Sequence, residues 1–569
     1  MVSYKISYDD VLELLNLPQG TTIETLDDLF SYAKCEIEEH DLDDDLIKVD
    51  CKTSNRPDCW SIEGLVREVK GIVGEEGLPE ISAEPSGYVI EVDSNIKSVR
   101  PFIGAAIVRG LHFTDFLIKQ LMQLQDKVDF SYGRRRRRSS IGIYNIQMVE
   151  SPIYYGLTSR TTAFIPLGHT KKLSLDKILK IHEKGQEYKD ILPKKGGLPI
   201  LRDKRGIILS MPPIINSNDV GRVTEDTTDV LIEVTGTNLE VVHVVTTLVT
   251  QALRDRGGKV FSVDIKYPPN FLETTELIVT PQTEPFEIEI DPKDIQKYLN
   301  LNLKPNDIIK LLKKRRFEAT KRKSKILVKY PPYRVDILHW VDIAEEIVIA
   351  YGYMNIDHTD WKVITVGRLS DRTFSENHVR SILSGCALQE VLTFTLTSPE
   401  KVIDNMGQKK ESLKKNIEVA NPVSTNYSVL RNRLLPGLLD FLAKNTHNEY
   451  PQFIFEVGEI VKNDKKKVTT FTKAAVLLSD TEISFEHIHS ILGTFSTQLG
   501  IELTLEPTVN SEFLEGRTAK IMLNKNQVGI IGEISPTILE YWQIFMPSAA
   551  FEIDLSLIPT LNLPPLNTY

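Results

Sequence analysis

Cysteine is scarce in this chain. The four residues present in 569, Cys35, Cys51, Cys59 and Cys386, form neither a CxxC pair nor a His-partnered zinc spacing. A disulfide-stapled or zinc-ribbon protein is therefore not indicated, and reduced thiols in a cytosolic protein are expected. Long apolar runs are missing too. The longest uncharged stretch, near 241–253, is too short to span a bilayer, and Met1–Asp10 is too charged for a secretion signal. There is no P-loop, no GxGxxG after a strand, no GxSxG and no HExxH. Nothing assembles a nucleotide-hydrolysing or hydride-transfer site, and His169, His339 and His447 read as isolated structural histidines.

Composition is that of a soluble globular protein, 41% apolar and 26% charged. At 569 residues the chain is too long for one core, so three or four domains are expected. A net charge of -10 argues against a uniformly basic nucleic-acid binder. Two local basic blocks stand out, Arg134–Arg138 and Lys313–Arg316 with Lys321–Lys323. They suit phosphate contact by counterion release; equally, they suit a solvated turn or fold-internal pairs with the 78 acidic residues.

Asp336, Asp342, Glu345 and Glu346 form the densest candidate site. Ile343, Ile347, Val348 and Tyr351 recur at helical spacing, which places Asp342, Glu345 and Glu346 at i, i+3 and i+4 on one helical face. Asp336 precedes them in an extended approach. Each close carboxylate pair at ~4 Å would cost roughly 4 kcal/mol at an effective dielectric near 20. A hard divalent cation removes that cost, and magnesium fits because it keeps several waters and needs few carboxylates. The other reading is acidic residues complementing the dipole of a first helical turn.

An internal repeat sharpens the comparison. Asp10–Leu17 matches Asp294–Leu301, including a shared Leu-Asn-Leu ending, and a second amphipathic helix and a β-prone run follow in both. Asn55–Gly74 then aligns without a gap on Tyr333–Gly352, with Arg56/Arg334, Asp58/Asp336, Glu68/Glu346 and Gly74/Gly352 identical. The retained residues read as an Arg–Asp clamp at the helix start and a glycine stop. Where copy two has Asp342 and Glu345, copy one has Gly64 and Arg67. Arg67 is expected to neutralise the remaining acids of copy one, leaving the metal reading to copy two.

Between the copies, strands are expected at Ile103–Val108, Gly206–Asn216 and Asp229–Val234, and helices at Thr114–Gln125 and Leu239–Arg254, giving an α+β domain with a mixed sheet. Past residue 360 a second α+β unit is expected. Its strands fall near 390–396, 452–461, 473–478, 518–523, 527–534 and 549–553, and its helices near 375–384, 434–445, 485–499 and 537–543.

Ser54–Glu68, Tyr132–Ile143, Phe164–Leu167, Leu209–Asn216, Glu233–Thr237, Tyr333–Tyr353, Asn421–Leu439, Phe455–Glu459 and Ile531–Pro536 follow one another in an order that resembles the β-subunit family of phenylalanyl-tRNA synthetases, in its shorter archaeal and eukaryotic-type architecture. The resemblance implies a multidomain α+β chain. Two helical, winged-helix-like modules (1–85 and 286–358) would flank a mixed α+β tRNA-editing domain (86–285). A class II synthetase-like antiparallel-sheet domain without catalytic motifs would close it (359–569). That last domain has no glycine-rich ATP motif, and Leu430–Arg433 is a remnant of an arginine-bearing one.

The implied protein is cytoplasmic and away from membranes, one half of an α2β2 heterotetramer with an α subunit that binds ATP and holds the aminoacylation site. The implied substrate is tRNA(Phe). Asp336, Asp342, Glu345 and Glu346 would hold Mg2+ near the boundary with the partner. Leu201, Ser210, Glu233 and Thr235 would form the pocket that hydrolyses mischarged tyrosyl-tRNA, Glu233 accepting a hydrogen bond from the tyrosine phenol and water acting as nucleophile. Many family members have aspartate where this chain has the longer Glu233. The residues alone also allow local strand roles for Ser210, Thr235 and Glu233, and a scaffold that binds RNA or protein without catalysis.

Overall fold

The computed structural model describes all residues except 1, 274, 358–364, 465–466, 562, 564–565 and 568–569. They form two compact units, Met1–Thr359 and Asp360–Tyr569; the division expected at 358/359 falls outside the described residues. Each unit mixes sheets and helices.

The first unit contains the repeat. Copy one runs through strand Val2–Ile6, helices Tyr8–Leu15 and Ile23–Ser31, strands Cys35–Asp41 and Leu46–Cys51, and helix Ile62–Val73. Copy two has the same order in Phe286–Ile290, Pro292–Leu299, Pro305–Lys314, Glu318–Arg322, Lys325–Tyr330 and Trp340–Tyr351. In both, the third strand lies in the middle of an antiparallel three-stranded sheet. The shared Leu-Asn-Leu has a backbone reason. Asn16 and Asn300 end the first helix at φ 52° and 54°, a left-handed conformation that asparagine tolerates. Gly74 and Gly352 stop the last helix at φ 126° and 90°. Cys35–Asp41 and Glu318–Arg322 carry no strand-like apolar pattern; they are edge strands, where charge discourages pairing with another chain.

Between the copies lies a ten-stranded mixed sheet. Glu84–Val92 runs parallel to Lys259–Lys266 and Ile153–Thr158, while Phe102–Arg109, Val230–Gly236 and the edge strand Ser139–Asn145 pair antiparallel. Helix Leu239–Asp255 buries Val241, Val245, Leu248 and Ala252 in one core with Val230, Ile232 and Val234. Helix Asp115–Phe130 adds Leu117, Leu121, Leu124 and Val128 to it. The strand expected over 206–216 is two short ones, Ile208–Met211 and Ile215–Asn216, separated by Pro212 and Pro213.

The second unit is built on an eight-stranded sheet. Gln452–Asp464, Lys467–Ser479, Ser548–Asp554, Asn526–Ile534 and Phe513–Leu523 follow one another antiparallel. Alternation sends Phe455, Val476 and Phe551 into a core with helices Asp371–Gly385 and Phe485–Gln498. Ile454, Leu477 and Ala550 pack with Leu435–Lys444 and Pro536–Tyr541. The strand expected at 390–396 does not form. It is reduced to Gln389–Glu390 and Leu396–Thr397, with Leu392 and Phe394 80% and 77% exposed between them.

Candidate functional site

A cavity of about 340 Å³ opens between helix Asp115–Phe130, strand Ser139–Asn145 and the Pro212–Pro213 turn. Its walls include Ile118, Leu121, Ile141, Ile143 and Pro213, and its polar groups include Ser210 and Glu233. Glu233 is 2% exposed. Its Oε2 accepts a hydrogen bond from the Tyr144 hydroxyl at 2.7 Å, while Oε1 and the Ser210 Oγ are buried without a partner among the described residues. Burial pushes the Glu233 carboxyl up to about 7, against the opposing pull of the Tyr144 bond, of Arg100 and of the Thr235 hydroxyl. The site therefore holds one committed and one uncommitted acceptor, both out of water, where an unmade hydrogen bond costs about 1–3 kcal/mol.

Gly142 makes that pair possible. It stands directly across from Glu233 in the sheet, and a Cβ there would come within 2.5 Å of Glu233 Oε2 and overlap the Tyr144 hydroxyl. Gly142 and Tyr144, two residues apart, share a strand face, and that spacing was the signal in the sequence that could have found them. Leu201 and Thr235 are not on the cavity wall. Leu201 is fully buried in the core that also takes Tyr144, and it pairs across the strands with Ser210. Thr235 binds Arg100, whose Nε donates to Thr235 Oγ1 at 2.9 Å and whose Nη2 donates to Thr235 O at 2.6 Å and Ser140 Oγ at 3.0 Å. Arg100 is itself 1% exposed, and its Nη1 donates to Arg136 O at 3.0 Å, tying the arginine block to the pocket floor.

The basic block divides between its two readings. Arg136 turns inward, pairing with buried Asp129 at 3.1 Å, donating to Pro213 O and Ile214 O at 3.1 Å, and lying over the Tyr188 ring. Burial lifts the Asp129 carboxyl to about 7 despite that partner. Arg134, Arg135 and Arg137 face solvent. In the second block Arg315 is fully buried while Lys313 and Lys314 are exposed.

The four carboxylates of the acidic segment are not gathered. Arg334 binds Asp336 and Glu346, each at 2.8 Å, as Arg56 binds Asp58 and Glu68 at 2.7 and 2.9 Å in copy one. Arg315 joins the copies, reaching Glu68 and Glu346 at 2.6 Å each. Asp342 Oδ2 accepts the backbone N–H groups of Leu338 and His339 at 2.8 and 2.7 Å, so it caps its own helix; His339 is the N-cap residue. Glu345 is 49% exposed and pairs with Lys34 at 2.8 Å, whereas Glu346 is 1% exposed. The shared-face geometry thus fails, because Glu346 points into the core and Glu345 does not. Among the described residues no group of three or more His, Cys, Asp or Glu is placed to hold a metal ion. Arg67 does not neutralise Asp58 and Glu68 as expected. It pairs with Asp255 at 3.0 Å and lies over Tyr333, and Arg56, Arg315 and Arg334 take its expected role.

In the second unit Arg431 binds buried Glu456 at 2.6 Å, and Arg433 donates to both oxygens of buried Glu512 at 2.6 Å. Both arginines of the Leu430–Arg433 remnant are therefore committed to carboxylates. His169 is not isolated; its ring lies 5.0 Å from that of His182. No helix among the described residues is long and apolar enough to cross a membrane.

Two stretches of the chain match domains of aminoacyl-tRNA synthetases. A family model of the tRNA synthetase B5 domain matches residues 288–353, and one of the phenylalanyl tRNA synthetase beta chain CLM domain matches residues 358–555. The phenylalanine–tRNA ligase beta subunit of Pyrococcus furiosus is 41% identical over 562 residues, covering 98% of this chain and 99% of its own. That of Thermococcus kodakarensis is 39% identical over 574 residues, with 98% and 99% covered. The crystal structure of an N-terminal fragment of the phenylalanyl-tRNA synthetase beta subunit from Pyrococcus horikoshii superposes with a TM-score of 0.59 at 39% identity, covering 62% of this chain and all of the fragment. The chain belongs to the phenylalanine–tRNA ligase beta-subunit family.

Proposed function

We propose that this chain is the supporting and proofreading half of an α2β2 phenylalanine–tRNA ligase, whose α subunit binds ATP and joins phenylalanine to tRNA(Phe). The observation that carries the proofreading role is Glu233, buried beside a ring-sized cavity with Oε1 unpaired. A tyrosine phenol would donate to that oxygen. Phenylalanine in the same place would leave it unpaired, and a site built around such a bond discriminates by as much as ~10^4–10^5. Water is the nucleophile of the ester hydrolysis, oriented by backbone and tRNA groups. In the assembled enzyme Glu233→Ala is expected to slow tyrosyl-tRNA deacylation and leave phenylalanylation nearly unchanged. Equal deacylation rates would remove Glu233 from the site.

The second unit reads as a class II-like domain without catalysis, supported by the commitment of Arg431 and Arg433 to Glu456 and Glu512. The modules on either side of the mixed sheet read as winged-helix-like. Purified alone the chain should not activate phenylalanine; co-expressed with an α-type chain it should form a tetramer that does. Aminoacylation by this chain alone would overturn the division of labour, and a chain that binds RNA without deacylation would favour the scaffold reading.

Magnesium enters this reading in a reduced form. Asp336 and Glu346 are compensated by arginine, so the four carboxylates do not fit the ion as a set. Asp342 Oδ1 and Glu345 Oε2 remain, Glu345 Oε1 being paired with Lys34, and magnesium needs only one or two carboxylates beside its waters. Bound there, the ion would supply charge compensation at the boundary with the partner subunit. Glu345→Ala should weaken assembly or its magnesium dependence; no change in either would leave Asp342 as a helix cap alone.

A further inference from the structure

The arginine block is arranged by its backbone. Arg134, Arg135 and Arg136 have φ of 50°, 52° and 61°, a left-handed run that costs roughly 1–2 kcal/mol per residue outside glycine. It is held from both sides. The N–H groups of Arg135, Arg136 and Arg138 donate to Phe130 O, Asp129 O and Gly133 O at 2.8–2.9 Å. The Arg137 and Arg138 carbonyls accept from the Thr237 Oγ1 and N–H at 3.0 Å. The inward member, Arg136, lines the cavity, and Arg135 lies over the Phe130 ring. Arg134 and Arg137 are exposed. Neither they nor Arg138 has an ion-pair partner among the described residues, in which Arg136 pairs with Asp129. The strained turn whose Arg136 lines the cavity therefore also carries three guanidinium groups without an ion pair, and the cavity holds two unpartnered buried polar atoms, Glu233 Oε1 and Ser210 Oγ.

We propose that Arg134, Arg137 and Arg138 clamp the phosphates of the 3′-terminal strand of a tRNA and so position its aminoacyl end over the Glu233 cavity. This rests on the proofreading reading above and names the part of the substrate that the turn grips. The cavity, about 340 Å³, admits one ring-sized group rather than a segment of protein. Arginine presents a planar fork that matches phosphate in a bidentate way. Arg100 couples the two parts, because it holds the Arg136 carbonyl and, with the same guanidinium, Thr235 and Ser140 under the pocket. The ligand is thus a polyanion carrying a small terminal group.

The test uses the full chain co-expressed with its α-type partner. A triple variant, R134Q/R137Q/R138Q, is compared with wild type and with the triple lysine variant. Two things are measured: tyrosyl-tRNA deacylation over a range of salt, and binding of whole tRNA against tRNA lacking its 3′-terminal nucleotides. The glutamine variant should lose about tenfold or more in kcat/KM, carried by KM, and its salt slope should shrink by about 0.7 for each phosphate no longer neutralised. Shortening the tRNA should weaken wild type and leave the glutamine variant unaffected, and the lysine variant should recover much of the loss. Wild-type KM, salt slope and sensitivity to shortening in the glutamine variant would overturn the clamp. Loss of partner assembly with the tRNA end still recognised would overturn it in favour of a protein contact. If wild type itself does not deacylate, the proofreading reading fails separately, and the shortened-tRNA comparison still decides the clamp.

Discussion

Glu68 and Glu346 occupy equivalent places in the two copies of the repeat, and Arg315 bridges them at 2.6 Å on each side. All three side chains are buried. Removing one partner of a buried ion pair leaves an uncompensated charge and costs about 3–5 kcal/mol. Arg315→Met should therefore destabilise the chain by about that much, read as a fall in the denaturant midpoint. Lys313→Met, two residues away and exposed, should change it by no more than about 0.5 kcal/mol.

The same cluster sets an acid limit. Burial alone would raise the Glu346 carboxyl, but Arg315, Arg334 and Arg56 outweigh it and hold it well below the usual range; Asp336 is likewise held down against burial by Arg334 and Arg56. A carboxyl depressed on folding contributes stability above its unfolded pKa and loses it as pH falls through the folded one. Stability should fall as pH drops below about 4.5, and the Glu346→Gln variant should show a shallower fall in a pH series of denaturation curves.

Position 64 explains why copy one has no counterpart of Asp342. A Cβ on Gly64 would overlap the Asp58 carbonyl oxygen, whereas the equivalent Asp342 sits at the N-terminus of Trp340–Tyr351 with room to cap it. Gly64→Asp should destabilise by at least about 1–3 kcal/mol through overpacking, measured by thermal unfolding. The reverse exchange, Asp342→Gly, should lose only about a helix cap, ~1 kcal/mol.

Gly142→Ala tests the pocket without replacing a polar group. The added methyl must displace Tyr144 or Glu233. Tyrosyl-tRNA deacylation should drop by about 10²-fold, as expected for a misplacement near 1 Å, with phenylalanylation retained in the same preparation.

Glu233 should also imprint a pH dependence on deacylation. Its carboxyl is raised by burial to about 7, so folding favours the neutral form. Stability from this group is fullest below about 4.5 and declines as pH rises through 7. The pH–rate profile of deacylation should inflect near 7 in wild type, and Glu233→Gln should flatten it.

Local patterns carried much of this fold into the sequence. The helical spacing from Ile343 onward, the buried strands at 103–108 and 229–234 and the duplicated Leu-Asn-Leu follow from backbone chemistry within a few residues. The edge strands Cys35–Asp41 and Glu318–Arg322 did not, because charge on an edge carries no alternating apolar signal. Of the four expected pocket residues, Ser210 and Glu233 line the cavity, while Thr235 bonds Arg100 and Leu201 is buried with Tyr144 beside Ser210. Tyr144 and Arg315 were not assigned, because each acts across the sheet or between copies. Spacing along a helix likewise could not tell which carboxylates faced water, since Arg334 and Arg315 draw Glu346 inward from a distance in sequence.

The shared cluster also imposes an order on synthesis. Arg56, Asp58 and Glu68 leave the ribosome early, but Arg315 and Arg334 lie far downstream of them. At about 5–20 residues per second the wait is some tens of seconds, during which Glu68 has Arg56 alone as a counter-ion and the inner face of helix Ile62–Val73 lacks its second half. The N-terminal copy is thus a half-socket that the nascent chain must keep in water until the C-terminal copy arrives. Meanwhile the mixed sheet between them can complete its own strands from Glu84 to Thr280. A chain cut before residue 315 would strand that socket open.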